Sequence, residues 1–305
     1  MEIDWSKKQV VVIMGPTASG KTALSIQLAK AFQCAVLSFD SRQFYREMFI
    51  GSAVPTLEER DGIPHFFIHS HSVNDELNAA NFADEARTLM SNYFKTYDTL
   101  ILTGGSGMFL DALLDGLDDY PVNPKLKAEL ESRLDAEGLH VLVSELEKLD
   151  ASTFQKVDCQ NPMRVIRALE IVLTAGKPIG EIQSQRSGRF QGRVTRFFIH
   201  YDRSDLYDRI NRRVDNMVEN GLEEEVRSCL PLRHLKALNT VGYSEYFDFF
   251  DGKTTHEVAI EKIKQHTRNY AKRQMTWLRR YNDIIALNPY GETTLLEQVM
   301  SHLKS

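Results

Sequence analysis

The sequence predicts an α/β fold, a P-loop-containing parallel sheet with helices on both faces, plus a helical insertion domain. Three observations carry that prediction. Val10-Val11-Val12-Ile13-Met14 is a short apolar run that leads through Gly15-Pro16-Thr17-Ala18-Ser19-Gly20-Lys21-Thr22 into a segment with Leu24, Leu28, Ala31 and Phe32 at helical spacing; the order is strand, glycine loop, helix. Two further apolar runs, 34–39 and 98–103, end in glycine or polar turns, as parallel strands do at the carboxyl edge where ligands bind. Between residues 117 and 193 helical patterns replace strand patterns, so this stretch is expected to be the insertion. The expected division is a core of 1–118 with 194–305 and an insertion of 119–193.

The glycine loop fits G-x-x-x-x-G-K-[ST] at every fixed position. Its glycines let backbone amides close on an anion, the helix N-terminus adds a positive dipole end, and Lys21 supplies a full charge. Thr22 offers a hydroxyl to a magnesium ion. The motif by itself does not say whose phosphate is held.

After the second apolar run comes Asp40-Ser41-Arg42-Gln43. A carboxylate at a strand's carboxyl end suits a magnesium ligand, a general base or a helix N-cap, and the residue types leave all three open. Residues 49–73 read as loop and short elements; His65, His69 and His71 lack the partner pattern of a metal site. Residues 81–97, with Phe82, Ala86, Leu89, Met90 and Phe94 in one stripe, form the crossover helix. The third run opens into Gly104-Gly105-Ser106-Gly107-Met108-Phe109, where Ser106 is the only side-chain donor among glycines that let the backbone approach a ligand. No aspartate follows this run, which weakens an ATP-hydrolysis reading.

In the insertion, 125–134 and 140–149 read as amphipathic helices, and Asn161 caps a third that begins at Pro162. The polar stretch 183–192 precedes the return strand, 194–200. Residues 203–219 form a helix with Tyr207, Ile210, Val214 and Met217 on one side and Arg209, Arg212 and Arg213 on the other; an arginine aimed at the phosphate edge matches a diphosphate's fork geometry. The acidic residues 221–229 are expected to be structural. Asn239-Thr240-Val241-Gly242-Tyr243-Ser244 forms another glycine turn.

Composition bounds the class. The chain has 305 residues, 42% hydrophobic and 26% charged, an ordinary usage for a globular protein with one large and one smaller domain. No apolar run approaches a membrane span and the polar start is no leader peptide, so a cytoplasmic protein with no membrane partner is expected. Cys34, Cys159 and Cys229 lie far apart and are expected to be packing residues. The net charge of −5 argues against nucleic-acid binding, but the distribution overrides the total. Residues 262–281 hold seven Lys or Arg and no acid, with Tyr270, Trp277 and Tyr281 threaded between them, a mixture suited to phosphate contact and base stacking.

In this order, the glycine loop, Asp40-Ser41-Arg42-Gln43, Gly104-Gly105-Ser106-Gly107, Asn161-Pro162-Met163-Arg164, Val241-Gly242-Tyr243 and Ala271-Lys272-Arg273-Gln274-Met275-Thr276-Trp277 resemble the bacterial tRNA dimethylallyltransferase family over nearly the whole chain. The resemblance implies transfer of a dimethylallyl group from dimethylallyl diphosphate to N6 of the tRNA adenosine 3′ of the anticodon, with Mg2+. It also implies a mobile helical insertion that clasps the anticodon stem-loop. The chain is expected to act as a monomer. Lys21, Arg213, the loop amides and magnesium held through Thr22 would stabilise the departing diphosphate. Ser106 would donate toward the bridging oxygen, Asp40 would accept the N6 proton, and Gln43 would read the base. The implied tRNA contacts are Asp40, Ser41, Arg42, Gln43, Gln160, Asn161, Pro162, Met163, Arg164, Asn239, Thr240, Val241, Gly242, Tyr243, Ser244, Lys272, Arg273 and Arg280. Serine and phenylalanine stand at 106 and 109 where the family usually has threonine and tyrosine; serine keeps the hydroxyl, and Phe109 is left a packing role.

Two alternatives differ in their acceptor. A P-loop small-molecule kinase would need no RNA, and an adenylate isopentenyltransferase acting on free nucleotides would have no use for the basic segment. A relict, non-catalytic RNA binder leaves Asp40 and Ser106 at the same edge without a purpose.

Overall fold

In the computed structural model, which describes residues 3–75, 77–118, 120–182 and 188–304, the apolar hexapeptide Gln9–Met14 forms β1 at the centre of a parallel sheet. The other strands are β2 (Val36–Ser38), β3 (His65–Phe66), β4 (Thr99–Thr103), β5 (Arg193–Ile199) and β6 (Ile284–Leu287), in the order β3-β2-β4-β1-β5-β6. Both faces are covered. Val10, Val12 and Met14 pack in one core with Phe82, Ala86, Phe109 and Leu110, while Val11 and Ile13 pack in the other with Leu24, Leu28 and Val299. That double burial is why the central strands read as continuous apolar runs.

Three helices complete the first half: α1 (Lys21–Phe32), the short α2 (Leu57–Arg60) and α3 (Ala79–Tyr93), which is capped by the Asn78 side chain and starts two residues before the expected position. Next, α4 (Gly107–Leu114) follows β4 directly. The stretch 49–73, expected as loop and short elements, contains α2 and the edge strand β3. His69 and His71 go separate ways: His69 has left-handed φ of 50° with its ring against Phe49, while His71 stacks on Phe67 and meets Glu85 at 3.2 Å.

The chain divides into two compact units, Met1–Asp115 with Phe190–Ser305, and Gly116–Arg189. The second contains α5 (Pro124–Glu137), α6 (Leu139–Leu149), α7 (Ala151–Phe154) and α8 (Pro162–Ala175) around Leu130, Leu142, Leu146, Val165, Ile166 and Leu169. Side chains cap the starts of α5, α7 and α8: Asn123 accepts from Leu126 N, Asp150 from Thr153 N and Asn161 from Arg164 N. Residues 183–187 of the polar stretch lie outside the described residues.

The first unit continues with α9 (Arg203–Glu219), α10 (Leu222–Ser228), α11 (Ser244–Phe250), α12 (His256–Leu278) and α13 (Leu295–Lys304). Glu225 of α10 accepts from the amides of Phe49, Ile50 and Gly51 and from the Tyr243 hydroxyl, so the acidic stretch does serve the fold. Cys34 and Cys229 are buried; Cys159 is half-exposed.

Candidate active site

Register brings three loops to one edge. Ile13 of β1 and Ser38 of β2 both pair with Thr103 of β4, so the three adjacent strands end level and their following residues start side by side. Phe39 N donates to Thr103 O at 2.9 Å and continues the ladder by one bond. Beyond it stand the glycine loop, Asp40-Ser41-Arg42-Gln43 and Gly104-Gly105-Ser106-Gly107.

The glycine loop winds through left-handed backbone at Ala18 (φ 65°) and at Gly20 (φ 88°), which caps α1 without a side chain. Lys21 turns its ammonium back into the loop, donating to Gly15 O at 3.0 Å and Pro16 O at 2.8 Å. Burial pushes that ammonium down to about 8, against the pull of Asp40 and with the push of Arg213 and Arg42. The buried Ser19 Oγ has no hydrogen-bond partner and sits where a side chain on Gly15 would lie 2.8 Å away. Arg209 braces the loop from outside through Nε to Ala18 O at 2.7 Å.

Asp40 is 15% exposed at its side chain. Its Oδ1 accepts from Arg42 N at 3.1 Å, so it closes a turn and caps no helix; its Oδ2 faces Gly105. Arg42 stacks on Tyr270 at 5.2 Å, and its buried Nε makes no hydrogen bond but lies 4.0 Å from Asp40 Oδ1. Arg213 is the second cation here: burial, then Arg42, lowers it to about 10, while Asp40 and Glu59 oppose. Lys21, Arg42 and Arg213 thus share one electrostatic environment, in which Asp40 is the carboxylate that acts on both Lys21 and Arg213. Arg212, one residue earlier, is exposed and bonds its own helix. Ser106 Oγ accepts from Ser41 N at 3.1 Å and lies 3.0 Å from Ser41 Oγ, which fixes its acceptor side. Gln43 accepts from Ser38 Oγ and donates to Ala53 O, so each end of its amide has a protein partner. Phe109 packs on Phe44 and Phe82, as a packing residue should.

The basic helix α12 docks on this edge through one stripe. Tyr270, Gln274 and Trp277 recur at steps of four and three residues, and Tyr281, four further on and just past the end of α12, continues the stripe. Burial raises the Tyr270 hydroxyl, and Asp40 adds to the shift. Gln274 takes the Thr17 amide at 2.9 Å and donates to Gly105 O at 3.0 Å. Trp277 fills the place of a side chain on Gly107, and Tyr281 bonds Asp111. The expectation that Trp277 and Tyr281 are free for base stacking is therefore corrected: they hold the helix. Lys272, Arg273 and Arg280 are exposed, Arg273 lying over the Tyr270 ring and Arg280 over Trp277 and 3.9 Å from Asp111.

Beside the edge opens a cleft of about 610 Å³ lined by Arg42, Asn239, Thr240, Val241, Ser244 and Tyr270, among others. It gathers most of the 239–244 turn with Arg42. Tyr243 is a correction: the side chain is fully buried, bonds Glu225 and crowds Gly51, so it serves the fold and faces no nucleic acid. Gly242 is also buried. Gln160, Met163 and Arg164 are exposed in the second unit, where Asn161 and Pro162 begin α8. A larger groove, about 770 Å³ along α3, holds none of these residues.

Among the described residues no three His, Cys, Asp or Glu side chains cluster as metal ligands. The edge offers the Thr22 hydroxyl and the Asp40 carboxylate. That donor set fits a magnesium ion held mainly by substrate phosphate oxygens and water. Sequence reasoning missed Gln274 as a site residue; its recurrence in one stripe with Tyr270 and Trp277 was the available signal.

Residues 43–281 match the family model for IPP transferase. The tRNA dimethylallyltransferase of Cytophaga hutchinsonii is 42% identical, covering 94% of both chains. The tRNA dimethylallyltransferase 1 of Bacteroides thetaiotaomicron is also 42% identical, covering 97% of this chain and 98% of the relative. Among solved structures, the tRNA isopentenylpyrophosphate transferase of Bacillus halodurans superposes with TM-score 0.72 at 33% identity, covering 98% and 96%. A eukaryotic dimethylallyltransferase acting on tRNA gives 0.77 at 27%, covering 92% of this chain and 74% of that one.

Proposed function

Because the chain belongs to the IPP transferase family, we infer that it transfers a dimethylallyl group to N6 of the tRNA adenosine at position 37, 3′ of the anticodon. One observation carries the reading down to residues: a phosphate loop, a carboxylate and a serine converge at one sheet edge beside a basic helix.

The donor is dimethylallyl diphosphate, bound by a monomer. The adenine N6 attacks the allylic carbon as the carbon–oxygen bond breaks, the electron pair leaves on the diphosphate, and the N6 proton passes to Asp40. Asp40 suits that role because Oδ1 is committed to Arg42 N, leaving Oδ2 to take the proton. Lys21 and Arg213 neutralise the leaving group from preset positions, so little reorganisation accompanies reaction. Ser106, its acceptor side fixed by Ser41 N, directs its hydroxyl hydrogen toward the bridging oxygen. Magnesium, held through Thr22 when bound, would add charge neutralisation on the phosphate oxygens. The adenine must leave its stack to reach the edge, and the cleft beside Arg42 and Tyr270 has room for it. Lys272, Arg273 and Arg280 contact RNA phosphates, and neutralising all three flattens the salt dependence of tRNA binding by about three units of slope. An unchanged slope would remove them from the interface.

Labelled dimethylallyl diphosphate incubated with tRNA, AMP or ATP tests the acceptor. Label in tRNA alone is expected; label in a free nucleotide, or phosphate transfer from ATP, would replace this reading.

A further inference from the structure

We propose that Gln274 is a positioning residue that sets the diphosphate loop against the Ser106 turn, tying the donor site to the basic helix. The inference rests on the reading above for which loops react. Gln274 is 7% exposed, and both ends of its amide are used. Its Oε1 accepts from Thr17 N at 2.9 Å, inside the loop that carries Lys21. Its Nε2 donates to Gly105 O at 3.0 Å, in the turn that carries Ser106.

The two loops come from strands β1 and β4, whose ladder ends at Ile13 and Thr103. Beyond those residues the Gln274 amide bridges them. A Cβ at residue 105 would lie 2.1 Å from Gln274 Nε2, so a side chain there would displace the amide from the bridge. Only a side chain that accepts at one end and donates at the other makes this bridge. An apolar side chain of equal length fills the same space but leaves the Thr17 amide and the Gly105 carbonyl without their partner, a cost of about 1–3 kcal/mol. The immediate neighbours Lys272 and Arg273 are exposed on the same helix, so RNA held by them is mechanically continuous with the bridge.

Gln274→Met keeps the volume and removes both bonds. Its affinity for inorganic diphosphate, by titration calorimetry, is expected to fall about tenfold and its turnover about a hundredfold, because displacements near 1 Å cost that much. Tm should fall by a few degrees, because two buried backbone groups lose their partner, while tRNA Kd should match the parent chain. Gln274→Glu keeps the acceptor for Thr17 N and regains the donor to Gly105 O only when protonated. Its activity relative to the parent should therefore rise as pH falls from about 8 to about 6. Diphosphate affinity within twofold of the parent in Gln274→Met overturns the proposal, as does tRNA affinity falling as far as turnover. A pH-independent Gln274→Glu ratio also overturns it, and decides alone if Gln274→Met does not fold. If the parent binds diphosphate yet labels no tRNA, the functional reading fails and the calorimetric comparison still judges Gln274.

Discussion

Asp150 in the insertion and Asp40 at the sheet edge are both carboxylates drawn away from solvent, and their surroundings are opposite. Asp150 is 3% exposed, with Oδ1 accepting from Ser152 Oγ and Thr153 N and Oδ2 from Ile179 N. Burial raises its pKa, but these bonds outweigh that and hold it at about 2. Buried Glu170 is likewise spent on Asn123 N and Arg167. At the edge, Asp40 accepts one backbone amide and lies 4.0 Å from Arg42 Nε, Arg42 Nε and Ser19 Oγ make no hydrogen bond, and burial holds Lys21 and Arg213 below their ordinary values. Buried polar groups are normally satisfied. Where satisfaction is complete the group maintains the fold; where capacity is left over amid like charges, the environment is shaped for a ligand.

Substitution at Asp40 tests that contrast most severely. Asp40→Ala should lower turnover by about 10² to 10⁴, the range of general-base catalysis, with Tm and tRNA Kd nearly unchanged. Turnover within threefold of the parent would show that the residue takes no proton.

Asp150→Asn should do the reverse. It places a donor against donors and is expected to cost about 1–3 kcal/mol of stability, read from urea midpoints, with turnover per folded molecule kept. The parent should also lose stability in acid. The native pKa lies below the unfolded value, so this contribution is complete above about pH 4 and is lost as pH falls toward about 2. Asp150→Asn should lack that component, and equal acid sensitivity in both proteins would break the comparison.

The smallest expected effect belongs to Lys21. An anion favours its protonated form, so diphosphate binding takes up a proton near pH 8 and weakens above it, by at most about tenfold per pH unit. Calorimetry in buffers of different ionisation enthalpy measures the uptake. Lys21→Arg, always charged, should bind without it; identical uptake would assign the proton elsewhere.

Much of this arrangement was legible locally. The both-faces-buried strands, the glycine loop, the cap at Asn161 and the exact span of α9 follow from residue pattern within one element. The short edge strand β3 was not, because two residues with a histidine carry no periodicity, and neither was β6, whose side chains are half exposed. At the site, pattern pointed to Lys21, Asp40, Ser106 and Arg213. It misassigned Tyr243, Trp277 and Tyr281, since an aromatic's partner lies on another element: Glu225, Gly107 and Asp111 respectively.

The sequence alone determined that a phosphate loop would follow the first strand and that carboxylate and serine would follow two others, because strand, turn and helix signals are short-range. Only the tertiary structure decided that those three strands are neighbours ending in register, that Arg42 and Arg213 crowd Lys21, and that Gln274 reaches back 257 residues to the loop amide. Those contacts form when sheet order and helix docking bury them together, and no local pattern encodes which distant partner satisfies a buried polar group.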